Sequence, residues 1–271
     1  MQDLPKYLVD SGAIEIREKL ESVFGDKVLD VATESGDFIL TLMNTLKGET
    51  SYVGVDISKK KWDSKKFENK SVKFIEMNAE NLEFEDNAFD IVSISYSLHH
   101  LEKVAKVITE MKRVLKPGGY FLIQEMFCDG NQTKAQVADI RTHHWHAKID
   151  TLLGISHNQT LTKNQLKEVV ANLGLKELEI LESSHPVKCL YCDDKLVCAN
   201  PKDKDIIDFT IKEIDEALDR LNKHVEKHKL HENPLIEKLR EEGEQVKRLT
   251  RSNGSTPASL LFFIGKKNNT T

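Results

Sequence analysis

The sequence predicts an α/β chain built on a doubly wound, mostly parallel sheet, and three observations predict it. Short apolar strand-like runs alternate with helical ones from residue 27 to residue 125, with little chain between them. The run Val28-Leu29-Asp30-Val31 passes through a small-residue turn straight into a helix, the unit from which such sheets are assembled. Two amphipathic helices then interrupt the alternation before a last apolar strand, Leu260 to Ile264.

Taken in order, residues 11–24 set Ile14, Ile16, Leu20, Val23 and Phe24 among charges, which predicts an amphipathic helix. Strands are expected near 27–32, 51–56, 72–76, 89–95 and 119–125, and helices near 37–47, 59–67 and 102–115. Pro117-Gly118-Gly119 stops the last of these, because proline lacks an amide and glycine turns the chain. Residues 134–157 read as helix and carry His143, His144, Trp145, His146 and His157. Thr162-x-x-Gln165 is a capping box, opening a helix with the stripe Leu166, Val169, Val170, Leu173 that ends at Gly174. Glu177 to Leu181 reads as a strand. Ile206, Ile207, Ile211, Ile214, Leu218, Leu221 and Val225 then keep helical spacing as far as Asn233-Pro234. Leu235, Leu239, Val246 and Leu249 continue it on a second helix, so the segment reads as a helical hairpin.

With 271 residues, 39% hydrophobic and 31% charged, the chain has the composition of a soluble globular protein able to bury a core. No run approaches the roughly 18 apolar residues of a membrane span. The first residues lack a basic segment followed by an apolar one, so the expected location is cytoplasmic. A formal charge of −5 argues against a broad nucleic-acid surface. Four cysteines are too few for a disulfide scaffold of this size.

The chemistry concentrates at strand ends. In open parallel sheets a ligand lies there, against the N-terminus of the next helix. Lys27-Val-Leu-Asp-Val-Ala-Thr-Glu-Ser-Gly-Asp-Phe38 supplies such a turn, and the second strand, Tyr52-Val53-Gly54-Val55, ends in Asp56, placed to accept from a ribose diol. With Asp86-Asn87-Ala88-Phe89-Asp90-Ile91-Val92 and Leu115-Lys116-Pro117-Gly118-Gly119, the pattern resembles the class I S-adenosylmethionine (SAM)-dependent methyltransferases. It is most similar to the branch with the ubiquinone and menaquinone biosynthesis enzymes, over roughly residues 10–183 and the last strand.

The resemblance implies a Rossmann-like methyltransferase domain made of 1–183 and 258–267, with 184–257 inserted as a lid or interaction element. It implies that Asp30, Ala32, Glu34 and Gly36 form the first cofactor motif, where the family has an acid and three alternate glycines. Asp56 would hold the ribose and Ile57 pack on the adenine. Asn78 and Ala79 stand where the family has Asp-Ala, and the Asn78 amide oxygen can still accept from the adenine amino group. Ser95 and Tyr96 would lie beside the sulfonium and the acceptor. Glu34 departs from the pattern. Facing the carboxylate of SAM at about 4 Å, with an effective dielectric near 20, it would cost about 4 kcal/mol. It can instead point outward, pair with the cofactor's ammonium, or mark a fold that no longer binds SAM.

Ten histidines raise the question of general bases and metals. His100, His143 and His146 are the general-base candidates, although His143, His144 and His146 form no i, i+4 pair on a helix. Surface or packed histidines are the competing reading. His185-x3-Cys189-x2-Cys192-x5-Cys198 offers four tetrahedral zinc ligands, against the plainer reading of reduced packing cysteines. The function implied is methyl transfer from SAM to a small-molecule acceptor, by a chain able to pair with a second copy. A catalytically silent binding or regulatory protein is the alternative from another class, and a nucleic-acid methyltransferase the nearest alternative enzyme.

Overall fold

The computed structural model describes residues 11–48, 50–62, 64–68, 70–183 and 200–269. Its elements are α1 (Ser11–Glu21), β1 (Lys27–Val31), α2 (Asp37–Thr45), β2 (Ser51–Asp56), β3 (Val72–Glu76), β4 (Phe89–Ser95), α3 (Val104–Val114) and β5 (Leu115–Met126). They continue as α4 (Lys134–Leu152), α5 (Lys163–Ala171), β6 (Lys176–Ser183), α6 (Lys204–His228), α7 (Pro234–Asn253) and β7 (Leu260–Lys266). One sheet takes the order β3-β2-β1-β4-β5-β7-β6. The pairs from β3 through β5 are parallel, and β7 runs antiparallel to both β5 and β6. The strand order therefore reverses between β1 and β4, and the cleft outside that reversal is where open sheets hold ligands.

Both faces of the sheet are covered, so its strands are apolar on successive residues rather than alternate ones. Val28, Ile91, Leu122 and Phe262 enter a core with α1 and α2. Their immediate neighbours Leu29, Val92, Phe121 and Phe263 enter the opposite core with α3 and α5. A third core lies away from the sheet: α6 and α7 pack together and against α4, burying Trp145, Ile149, Ile214, Leu221, Val225, Ile236 and Leu239. The Trp145 indole N–H donates to the Leu239 carbonyl at 2.7 Å, so this large ring is buried without an orphan donor.

Local signals account for several boundaries. The Thr162–Gln165 capping box forms, as does another at Thr133 and Gln136 that starts α4. Asn233 caps α7, with Pro234 in the first turn where its missing amide costs nothing. Two expectations need correction. Residues 59–62 form turns rather than helix, and only Ser64–Phe67 makes a single 3-10 turn. The segment offers just Trp62 and Phe67 as apolar side chains, too few for a buried face. The helix expected over 134–157 stops at Leu152, where the chain turns through Gly154 at φ 79°. His157 therefore lies on a loop that folds back over α4, and this has consequences for the site. The segment His185–Cys198, with its proposed zinc ligands His185, Cys189, Cys192 and Cys198, lies outside the described residues.

Candidate active site

The turn after β1 is the centre of the site. Ala32, Glu34 and Gly36 adopt φ of 55°, 46° and 84°, so alternate residues take the left-handed conformation. That is the physical content of three alternate glycines: each stands where a side chain is strained by roughly 1–2 kcal/mol. Here two of the three carry side chains, and the fold holds them in place. The Glu34 amide donates to Asp56 Oδ2 at 3.0 Å, the Thr33 amide to the Val55 carbonyl at 3.0 Å, and the Gly36 amide to the Thr33 carbonyl at 2.7 Å. Gly36 has no such latitude, since a Cβ there would stand 2.6 Å from the Phe67 ring.

Asp56 ends β2 with both oxygens engaged, one by the Glu34 amide and the other by the Ser58 amide at 3.1 Å. A carboxylate has about four acceptor positions, so each oxygen keeps one for a ligand. Next to it Ile57 is 74% exposed, an apolar side chain turned to the opening. Asp30 is buried in β1 and accepts from Ser93 Oγ at 2.7 Å. Burial pushes its carboxyl up to about 6, Ser93 opposing the rise. Asn78 Oδ1 accepts from the Glu80 amide at 2.9 Å, closing a local turn after β3. At the end of β4, Tyr96 is left-handed at φ 48°, and its amide donates to the Gln124 carbonyl.

A single cleft of about 1420 Å³ is lined by Asp30, Ala32, Glu34, Asp56, Ile57, Asn78, Ala79, Ser95, Tyr96 and His100. Of the expected cofactor residues, Gly36 alone is not on its wall; it lies behind the turn against Phe67. The Glu34 carboxylate pairs with Lys61, and both side chains are largely exposed. Lys61 and Ser97 also line the cleft, and neither was foreseen from the sequence. Arg220 of α6 closes the far side, hydrogen-bonded to Asp150 of α4 at 2.8 Å. Helix α6 therefore contributes to the wall.

The histidine candidates separate. His143 of α4 joins His99, His100 and His157, with one ring nitrogen of each within 4.8 Å of the others. Burial, then the neighbouring histidines, depress His100 to about 3 and His143 to about 2, so both are neutral at physiological pH. His146 stands apart from this group with a buried, unpartnered Nε2, and burial lowers it to about 4. His144 bonds to Thr160 Oγ1 at 2.7 Å. His99 and His157 went unassigned in the sequence, because spacing does not show that the turn after β4 and the loop after α4 bring them to His143. Glu125 was legible in principle: an acid after Tyr-Phe-Leu-Ile-Gln in an otherwise apolar strand must be satisfied inside.

Fold and cleft together resemble those of a class I SAM-dependent methyltransferase domain. Residues 29–123 match the family described as "Methyltransferase domain". Similar curated proteins are the ubiquinone/menaquinone biosynthesis C-methyltransferases of Francisella philomiragia, 36% identical over 37% of this chain and 43% of that protein, and of Shewanella sediminis, 31% identical over 48% and 54%. The chain thus spans about half the length of the curated relatives it matches. Among solved structures, the phosphoethanolamine N-methyltransferase 2 of Haemonchus contortus is similar at a TM-score of 0.51 and 16% identity, over 95% of this chain and 52% of that one. The [4+2]-cyclase SpnF is similar at 0.53 and 16%, over 94% and 81%. At such identities the likeness shows the fold alone, and the cyclase shows that this fold carries more than one chemistry. Among the described residues no helix is long and apolar enough to cross a membrane.

Proposed function

We propose that this protein transfers a methyl group from SAM to a small-molecule acceptor and releases S-adenosylhomocysteine. The observation that carries the proposal is the convergence of Asp30, Asp56, Ile57, Asn78 and Tyr96, from four separate strand ends, on one cleft at the sheet's reversal point. The donor set fits the cofactor. Asp56 retains acceptor positions for a diol, Ile57 presents an exposed apolar face for a planar base, and Asp30, ionised above about pH 6, suits a cationic end. When bound, SAM supplies an already activated methyl electrophile, so the chain's share is alignment and exclusion of water. Ser95 and Tyr96 stand at the end of β4 to orient the acceptor, and Arg220 of α6 covers the far side. His100 and His143, depressed to about 3 and about 2, are too weak as bases to take a proton from the acceptor, so alignment carries the transfer in this reading. A cytoplasmic location, and a lid role for the helical hairpin, belong to this reading.

Calorimetry with SAM and S-adenosylhomocysteine tests it. Asp56→Ala should weaken binding about 10- to 100-fold, the loss of charge-assisted hydrogen bonds worth about 1.5–3 kcal/mol. Equal affinity in both proteins would remove Asp56 from the site. A wild-type protein that binds neither compound would favour the catalytically silent fold.

A further inference from the structure

The cluster of His99, His100, His143 and His157 is not required by a cofactor cradle, and its geometry is specific. His99 and His100 sit on the 3-10 turn Leu98–His100 after β4, His143 is on α4, and His157 is on the loop that folds back after Gly154. A hydrogen bond from the Asn158 amide to the His99 carbonyl, 2.7 Å, ties that loop to the turn.

Each of the two buried rings is oriented by a carboxylate. His99 Nδ1 lies 3.1 Å from Glu125 Oε1, and His157 Nδ1 lies 2.8 Å from Asp150 Oδ2. Carboxylates accept, so each Nδ1 carries the proton and each Nε2 turns a lone pair inward. Glu125 is itself fixed by the Leu98 and Met126 amides, and Asp150 by Arg220. Carboxylate–histidine pairs of this kind commonly stand behind metal ligands, where they set the tautomer and ring direction.

A purely hydrogen-bonded cluster leaves one atom unexplained. His143 Nε2 and His157 Nε2 are 3.1 Å apart and can share one proton. His99 Nε2, in a side chain 1% exposed, has no partner. A buried acceptor left so is costly, and an ion at the centre of the four rings would satisfy it. Tetrahedral zinc with metal–nitrogen bonds of about 2.05 Å sets its ligand atoms about 3.3 Å apart. The His143–His157 separation already matches, and the whole set, within 4.8 Å, needs only a modest contraction.

We propose that His99, His100, His143 and His157 bind one divalent transition-metal ion. An all-imidazole set selects zinc, cobalt, nickel, iron or copper and offers no oxygen ligand to magnesium or calcium. His100 is the member on the wall of the cleft, so the ion stands between the cofactor cradle and the inserted helices. Ion binding stands on the histidines alone. Its use, to hold an anionic oxygen, nitrogen or sulfur of the acceptor, rests on the methyl-transfer reading.

The test uses the full chain, untagged, stripped with chelator and titrated with Co²⁺ without SAM. The expected result is a visible ligand-field spectrum saturating at one Co²⁺ per chain, abolished by Zn²⁺ and untouched by Mg²⁺. The double variant His143→Ala, His157→Ala should lose it, and Asp150→Asn, which keeps the histidines, should bind about 10- to 100-fold more weakly. Cys189→Ser with Cys192→Ser should bind as wild type. A folded wild-type protein that takes up no Co²⁺ overturns the proposal. So does undiminished binding in the histidine variant, which would move the ion to the cysteines or to the His224–His228 pair of α6. If the double variant fails to fold, full affinity in Asp150→Asn, with no rise in wild-type melting temperature on adding Zn²⁺, overturns it equally.

Discussion

Replacing Glu34 by glycine separates backbone strain from charge. Glu34 is held at φ 46°, where a residue with a Cβ is strained by roughly 1–2 kcal/mol and glycine is not. Part of that relief is lost because glycine makes the unfolded chain more flexible, a loss of about 0.4–1 kcal/mol. The substitution also removes the ion pair with Lys61, whose side chains are 55% and 72% exposed, and such a pair contributes about 0–1 kcal/mol. Glu34→Gly should therefore leave stability unchanged or raise it by up to about 1 kcal/mol, at most a few degrees in melting temperature. Glu34→Gln, which loses the charge and keeps the strain, should gain nothing. Because the carboxylate is engaged by Lys61, SAM affinity in both variants should stay within about threefold of wild type. The measurements are thermal unfolding and calorimetry. A fall of several degrees in Glu34→Gly would show that the turn stores no strain at this position. A tenfold gain in SAM affinity would show the carboxylate facing that of the cofactor, and a tenfold loss would show it meeting the ammonium.

Asp30 makes stability depend on pH. Its folded value of about 6 lies above its ordinary 3.8, so between those limits the folded state holds more protons. Stability should fall by up to about 3 kcal/mol as pH rises through that window. Denaturant titrations of Asp30→Asn, which can still accept from Ser93, should show a shallower dependence, and an identical slope would refute the cause. Gly243 of α7 lies under Trp145, where a Cβ would stand 2.8 Å from Cζ2. Gly243→Ala should cost about 1–3 kcal/mol by overpacking, and a neutral change in urea midpoint would show that the third core yields there. Arg113 binds the Leu82 and Phe84 carbonyls, Asp86 and Glu110, pinning the segment after β3 to α3. Arg113→Lys cannot reproduce that fork and should destabilise by about 1–3 kcal/mol, while wild-type stability would assign the anchoring elsewhere.

The sequence by itself determined what depends on near neighbours. Strands and helices followed from apolar spacing, the starts of α5 and α7 from Thr162 and from Asn233-Pro234, and the gathering of Asp30, Asp56 and Asn78 from the rule that parallel strands end on one side. The left-handed turn at Ala32 and Glu34 was not legible, because neither residue type favours that backbone and the sequence raised only the charge of Glu34. Tertiary structure decided what depends on direction across long stretches of chain. Lys61 meets Glu34 only because a turn replaces the helix expected at 59–67. The four histidines converge only because α4 ends at Leu152 and Gly154 turns His157 back onto His143 and Asp150. Spacing along a chain states which residues share a helix face or a strand face. It does not state where a loop returns, and that return placed the imidazole lone pairs around one point.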